Sequence, residues 1–347
     1  MEVAIIGAGP IGLIAGLTLT ASGHRVRVFD PSTEKPAMSL ALAESSLQLL
    51  ARFGVEITSG EALTEIHISE RQVPGSAVLS AHQLGFSRFG RVVCSHDLEA
   101  TLAHHTAGLV EPKAVASLRA RGAHRPAEVT LEDGEQLHPD LVILADGGRS
   151  TLAESLGFVA QQRPFGRTAL LGRVQLSQPI LSRAYERFVG TGPLALLPLS
   201  GGVYGFVWSL SPTQAAHLAD DQGALMDALQ AAMDPALGAA TLVKAPVQIP
   251  LVERWIDQPY RPGIALLGNG AQTIHPVAGQ GLNLALRGLA HLLEAFAEMP
   301  VDEAVQHAFQ RWQTDRDRTR FASSALEALF DVPRGWRRAG TAVGMAL

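Results

Sequence analysis

The chain has 347 residues, a formal net charge of −5, and 47% apolar against 18% charged residues. This composition supports a large buried core, excludes general disorder, and argues against nucleic acid as a partner, which calls for a basic face. Cys94 is the single cysteine. An intrachain disulfide is therefore excluded, a metal site would need His or carboxylate ligands, and the setting reads as reducing and cytoplasmic.

Val3 to Gly23 carries no formal charge and has the length of a membrane span. Gly7, Gly9, Pro10 and Gly12 interrupt it, Thr18, Thr20 and Ser22 make its end polar, and no basic segment precedes it, so it reads as folded structure. EVAIIGAG predicts a short buried strand stopping at glycine, Pro10–Ser22 a helix with proline in its first turn, and HRVRVFD an alternating strand ending at Asp30. Ser45–Phe53, closed by Gly54, and Asp97–His105 read as helices. EVTLEDGEQLHPDLVILADG predicts a hairpin turning at Asp133-Gly134 and feeding a second buried strand. Between Thr168 and Leu210, TALLGRVQL, AYERFVG, GPLALLPL and VYGFVWSL predict an antiparallel sheet, a layer distinct from the first. Ala215–Met233 reads as one helix, IALLGN at 264–269 as a third buried strand ending in glycine, and Leu282–Met299 and Asp302–Phe330 as long helices. The chain shows no internal repeat.

Gly7-Ala8-Gly9-Pro10-Ile11-Gly12 matches G-x-G-x-x-G, placed after a strand and opening a helix, which is the context that gives the motif meaning. Gly7 allows the tight turn, Gly9 a close approach of backbone to a pyrophosphate, and Gly12 close packing of helix on strand. The helix that Pro10 opens offers N–H groups from Ile11 onward and partial positive charge to a phosphate. Asp30 is placed to accept from the ribose of an adenosine. This predicts dinucleotide binding and leaves FAD and NAD unseparated.

Five segments carry a resemblance: GAGPIG at 7–12, LALAESS at 40–46, ADGGRS at 145–150, ERFVGTGPLALLPLS at 186–200 and GNGAQTIHPVAGQGLNLALR at 268–287. With them the sequence resembles the flavin-dependent aromatic hydroxylases, the para-hydroxybenzoate hydroxylase-like superfamily, and within it the 2-polyprenyl-6-methoxyphenol hydroxylases of ubiquinone biosynthesis. The resemblance implies an α/β fold: a Rossmann-like FAD-binding domain with a parallel sheet, plus an inserted substrate domain with a mostly antiparallel sheet. Residues 1–60, 88–160 and 262–330 would form the first, 61–87 and 161–261 the second, and 331–347 a C-terminal segment cut short. It implies FAD contacts from the GAGPIG turn, Asp30, His96, Asp146, Gly147, Gly268 and Asn269, the last at the ribityl chain. Pro276 and Gly279 would line the isoalloxazine ring, and the helix start at Gln280, Gly281, Leu282 and Asn283 would point at its pyrimidine edge. A helix N-terminus there stabilises the negative charge of reduced flavin. His275, Pro276 and Gly279 are the candidates at the reacting centre. His275 would tune the flavin, help a phenol lose its proton, or only fix the loop.

The implied reaction is ring hydroxylation of a polyprenylated phenol or quinone precursor with O2, through a flavin C4a-hydroperoxide. NAD(P)H would act as transient co-substrate, since no second glycine motif is present. A polyprenyl substrate implies peripheral membrane contact, on the inner face, and association with other ubiquinone-biosynthesis proteins; the GWRRAGTAVGMAL end would suit either a surface segment or an ordinary terminus. A related monooxygenase on a soluble phenol, and a non-catalytic flavoprotein-like subunit of a biosynthetic complex, are the alternatives. Departures from the family motivate the latter: Met38 and His96 stand where Arg is common and Gly288 where Asp is common; Asp30, where Glu is usual, keeps the ribose acceptor, and Asn269, where Asp is more frequent, keeps a neutral hydrogen bond. Tyr185, Phe188 and Trp208 would line a substrate pocket or serve the core. His104-His105 lacks metal-ligand spacing, and no metal is expected.

Overall fold

The computed structural model describes residues 1–31, 38–71, 75–120, 122, 127–274 and 280–331, with side chains through 323. β1 (Glu2–Ile6), α1 (Pro10–Ala21) and β2 (Arg25–Phe29) form the opening strand–helix–strand unit. They are followed by β3 (Ser39–Ala43), α2 (Glu44–Arg52), β4 (Glu61–Leu63), β5 (Glu65–Glu70), β6 (Ser76–Ser80), β7 (Gly90–Cys94) and α3 (Ser95–His105). Next come β8 (Val110–Glu111), β9 (Val115–Arg119), the hairpin β10 (Glu128–Leu131) and β11 (Gln136–Leu137), β12 (Leu141–Leu144) and α4 (Leu152–Ser155). The middle of the chain holds β13 (Ala160–Leu176), β14 (Arg183–Val189), β15 (Gly192–Pro198), β16 (Val203–Leu210), α5 (Pro212–Asp220), α6 (Gln222–Ala232) and β17 (Ala240–Ile256). β18 (Tyr260–Arg261), β19 (Ile264–Leu266), β20 (Gln272–Thr273), α7 (Gln280–Phe296) and α8 (Val301–Asp331) complete it.

Among the described residues one sheet has the order β18-β19-β12-β1-β2-β8, parallel throughout except at β18. Its central strands are apolar on both faces: Val3 to Ile6 are at most 6% exposed and Leu141 to Leu144 fully buried. Helices on both sides explain the absence of alternation. Leu13 and Ile14 of α1, Leu98 and Leu102 of α3, and Leu284 and Leu286 of α7 belong to the same core. Parallel pairing also brings the C-terminal ends of β1, β12 and β19 side by side, where α/β sheets bind ligands.

The second main sheet has the order β20-β17-β13-β16-β15-β14-β5-β6 and is antiparallel except for β14 against β5. It has two unlike faces. Leu170, Val174, Tyr204, Trp208 and Leu210 point into a second core with Leu225 and Leu229 of α6. Leu171, Arg173 and Val207, their alternates, point the other way. The expected α/β class with an inserted, mostly antiparallel layer is therefore what the chain forms.

Three sequence expectations are corrected. The helix at Ala215–Met233 is two helices, because Asp221 leaves helical geometry and its carboxylate accepts the Ala224 N–H at 2.9 Å as the cap of α6. α5 starts early, at Pro212, where Ser211 and Gln214 form a capping box. The antiparallel sheet is larger than its four apolar runs, since β13 starts at Ala160 and pairs along its length with the unread β17. Lys244, Pro246, Gln248 and Pro250 hide that strand, which is mostly exposed.

Candidate active site

Three glycine turns meet at the ends of the parallel strands. The Gly7 N–H donates to Phe29 O at 2.8 Å, and Gly7 adopts φ +104°. A Cβ added there would lie 2.5 Å from Ala145 O and 2.8 Å from Asp146 Cα, so the first turn abuts the second through glycine alone. At Gly12 an added Cβ would stand 1.9 Å from Gly7 O, which fixes how closely α1 approaches β1. Gly9 behaves differently: among the described residues an added Cβ meets nothing within 4 Å, and no side chain caps the helix that Gly9 opens. Open space before an uncapped helix N-terminus suits a diphosphate, whose oxygens take the leading N–H groups. Asp30 closes β2, and its Oδ2 accepts the Ala8 N–H at 2.6 Å, bracing the same turn.

The second turn is organised by Asp146. Its Oδ1 accepts the Gly148 N–H at 2.8 Å, and its Oδ2 accepts the Ser150 N–H at 3.0 Å and the Ser150 hydroxyl. Gly147 and Gly148 carry φ +77° and +70°. The third turn begins at Gly268, φ +63°, whose added Cβ would lie 3.6 Å from Ile11 Cγ1 at the start of α1. Arg254 of β17 joins second and third turns. Its Nη1 donates to Gly270 O at 3.2 Å and approaches Asn269 O at 3.5 Å, and an added Cβ on Gly148 would come within 3.1 Å of it. Arg254 was not legible as a site residue, because it sits in the strand the apolar pattern hides.

Beyond Gly270 the chain is clamped. Thr273 and Gln272 of β20 pair with Arg254 and Trp255. Arg316 of α8, fully buried, donates to Gln272 Oε1 and to Ile256 O at 2.7 Å. Arg320 donates to Glu253 Oε1 at 2.9 Å and covers the Trp255 ring at 3.7 Å. His275, Pro276 and Gly279 lie outside the described residues. The chain is described again at Gln280, and at Gly281 an added Cβ meets nothing within 4 Å among the described residues. Asn283 is 2% exposed and bonds to β3: Oδ1 accepts the Ala43 N–H and Nδ2 donates to Ala41 O, both at 2.9 Å. It thus pins the start of α7 to β3, next to the half-buried Leu282.

β3 continues from this pin to a cleft. Met38 and Ser39, at its start, face the second sheet, where Gly205 leaves room for Ser39: an added Cβ would lie 2.1 Å from Ser39 Oγ. The cleft is lined further by Leu171 and Arg173 of β13 and by Lys244 and Val247 of β17. Tyr185 and Trp208 are on the opposite face, each 3% exposed in the second core, so the core reading holds for both. Glu186, not singled out from sequence, pairs in register with Ala195, which pairs with Val207, which leads to Leu171. Its side chain is therefore on the cleft face of the sheet. Its Oε1 is shielded from solvent and has no hydrogen-bond partner among the described residues. Burial pushes this carboxyl up to about 8.

Residues 1–327 match the FAD binding domain family. The chain belongs to that family. FAD is accordingly its cofactor, and the open backbone at Gly9 fits the diphosphate of FAD. Over 327 residues the chain is 28% identical to 3-demethoxyubiquinol 3-hydroxylase of Escherichia coli, covering 86% of this chain and 83% of that one. It is 28% identical over 316 residues to ubiquinone hydroxylase UbiL of Rhodospirillum rubrum, covering 84% and 71%. In fold it is similar to PqsL of P. aeruginosa in complex with 2-aminobenzoylacetate, with a TM-score of 0.86, 21% identity and 98% of each chain covered.

Within this FAD-binding chain one departure, Gly288, has a local cause. Gly288 faces Trp312, whose ring would stand 2.5 Å from an added Cβ and whose Nε1 donates to Leu284 O at 3.1 Å. An Asp there has no room. Met38 exchanges two hydrogen bonds with Ser95, its N–H donating to the Oγ at 3.0 Å and its carbonyl accepting the Ser95 N–H at 2.8 Å. His96 follows on the first turn of α3, exposed. Among the described residues no group of His, Cys, Asp and Glu could hold a metal, and no helix is long and apolar enough to cross a membrane.

Proposed function

We propose that this protein hydroxylates the aromatic ring of a polyprenylated phenol in ubiquinone biosynthesis, with O2 and with NAD(P)H as transient co-substrate. Its enzyme class is FAD-dependent monooxygenase. The observation that carries the reading is the convergence of three glycine turns, the first open at Gly9, together with α7, which Asn283 pins to β3 at whose start the cleft lies. When bound, the flavin supplies the reductive activation of O2. The chain's own residues position and shield. Gly9 would admit the diphosphate, with Gly7 and Gly12 shaping the turn and helix start beside it, Asp30 would take the ribose, and Asn269 the ribityl chain. Pro276, Gly279 and the α7 start from Gln280 to Asn283 are the residues that would hold the flavin ring, with His275 the candidate for the reacting centre. The cleft places the phenol on the far side of Met38 and Ser39. Met38, Val247 and Ile249 are 36%, 40% and 36% exposed at its mouth, which supports an apolar tail leaving toward a membrane surface.

The test is a visible spectrum of the purified protein with added FAD, followed by NAD(P)H oxidation with a short-chain prenylphenol and mass analysis of the phenol. Bound oxidised flavin and a product heavier by one oxygen are expected. Flavin uptake without substrate-stimulated oxidation or product would overturn the enzyme reading in favour of a non-catalytic flavoprotein subunit.

A further inference from the structure

We infer that this protein forms a two-fold dimer in which the β6 strands of two copies pair antiparallel about Val78, joining their large sheets into one.

The large sheet has two open edges, and they are built differently. At one end β20 pairs only with Arg254 and Trp255, so among the described residues β17 from Ala240 to Pro250 has a strand partner, β13, on one side only. Lys244, Pro246 and Pro250 stand in that stretch, residue types that stop an edge from recruiting another strand. At the other end β6 pairs with β5 alone. Its sequence, SAVLS, has no charge and no proline, and Ser76, Ala77 and Val78 are exposed, Val78 at 43%. Such an edge presents a row of N–H and C=O groups whose complement is another strand.

Apolar side chains gather at the same corner. Leu84 and Phe86 follow β6 on a turn that the Phe86 N–H closes onto Ala81 O at 2.9 Å, and both are more than half exposed. The Ala81 N–H donates to Thr64 O and the Thr64 N–H to Ser182 O, each at 2.9 Å. The end of β6 therefore lies in one row with the start of β14, where Leu181 is also more than half exposed. Apolar surface concentrated in this way marks an interaction site.

The strand fits itself. Antiparallel pairing about Val78 sets Ser76 opposite the partner's Ser80 and Ala77 opposite the partner's Leu79, small against large, with Val78 meeting its own copy on the axis. Ser76, Val78 and Ser80 share one face, Ala77 and Leu79 the other. No like charges meet, and serine and β-branched pairs are favourable across strands. A strand from a different protein would need no such symmetry; the match of SAVLS with its own reverse assigns the edge to a second copy. The same arrangement carries each copy's Leu84 and Phe86 turn past Ser80 toward the partner's Gly75, which widens the contact. An isologous contact of this kind closes after two copies.

The experiment is sedimentation velocity on the FAD-supplemented protein at about 50 μM, above the micromolar upper range for specific interfaces. It should report twice the mass of one chain. Val78→Lys places two ammonium groups opposite each other across the axis and should leave a monomer with native circular dichroism. Val78→Glu should do the same, and mixing the two variants should restore the dimer, which misfolded chains would not do. Val243→Lys, at an exposed apolar position on the guarded edge, should leave the dimer intact. A native monomer, a dimer that survives Val78→Lys, or a mixture of the Lys and Glu variants that stays monomeric overturns the inference.

Discussion

At the parallel sheet, each functional turn is a run of consecutive residues, and three such runs meet edge to edge through Gly7, Gly148 and Gly268. On the large sheet, the cleft takes one to four residues from each of β3, β13, β16 and β17, strands far apart in the chain. The first region tolerates almost no change in backbone shape where Gly7 and Gly12 abut main-chain atoms. The second depends on register, and its side chains are exchangeable one at a time. Flavin binding and substrate choice should therefore separate by mutation.

Gly12→Val should break the comparison most sharply. Its Cβ would occupy a point 1.9 Å from Gly7 O, a main-chain clash that no rotamer relieves. The expected cost is about 5 kcal/mol or more, at the extreme of single substitutions. Visible absorbance should show no bound flavin. Val247→Ala, at the 40% exposed cleft mouth, should keep full flavin and cost under about 1 kcal/mol. Flavin retained by Gly12→Val would remove the turn from the cofactor site.

Glu186 gives the next largest effect, and it belongs to the large sheet. Its carboxyl is raised from 4.5 to about 8 by burial. Below the unfolded value both states hold the proton and nothing is lost. Between roughly 4.5 and 8 the unfolded chain releases the proton first, so stability falls with rising pH, and above about 8 the loss is complete. Glu186→Gln should therefore gain on the native protein with pH, on the order of 4 kcal/mol by pH 9. Denaturant midpoints from pH 4 to 9 test it; a difference independent of pH places the carboxyl in water.

Gly288→Asp sets the family's common residue against this chain's Trp312. The ring already fills the space, so the substitution should cost about 2–3 kcal/mol by overpacking and by burying an acid. Trp312→Leu in the same chain should recover part of that loss, a coupling that a double-mutant cycle on thermal melts would read. Additive losses would mean that Trp312 is not what excludes the Asp.

What could be read from sequence follows the same division. GAGPIG, the Asp133-Gly134 hairpin and the three strands ending in glycine were legible because turn geometry is decided within a few residues. Asn283 was legible as part of a special loop, but its bonds to Ala41 and Ala43 were not, since those partners are about 240 residues away. The Gly288 substitution looked like damage to a site until Trp312 was in view. β17 escaped because two prolines and a lysine interrupt a strand that is exposed and gains its order from pairing with β13. Arg173, Lys244 and Arg254 went unremarked with it, as ordinary surface cations.

Arg254 is where the two regions touch, and it carries the smallest predicted effect. It extends from the large sheet to Gly270 O and Asn269 O, and it lies against Gly148. It bonds main chain of the third turn and lies beside Gly148 of the second, so its loss should loosen their relative placement without removing either. Arg254→Ala should weaken FAD binding about tenfold, the worth of one hydrogen bond from a charged group, near 1.5 kcal/mol. Arg254→Lys, a point charge without the fork, should recover less than half of that. Fluorescence quenching on FAD titration gives the affinity, and the KM for the prenylphenol at saturating FAD gives the control. If Arg254 only braces the turns, that KM stays at its native value while FAD affinity falls. If both change together, the turns and the cleft are one mechanical unit, and the separation drawn between the two sheets fails at this residue.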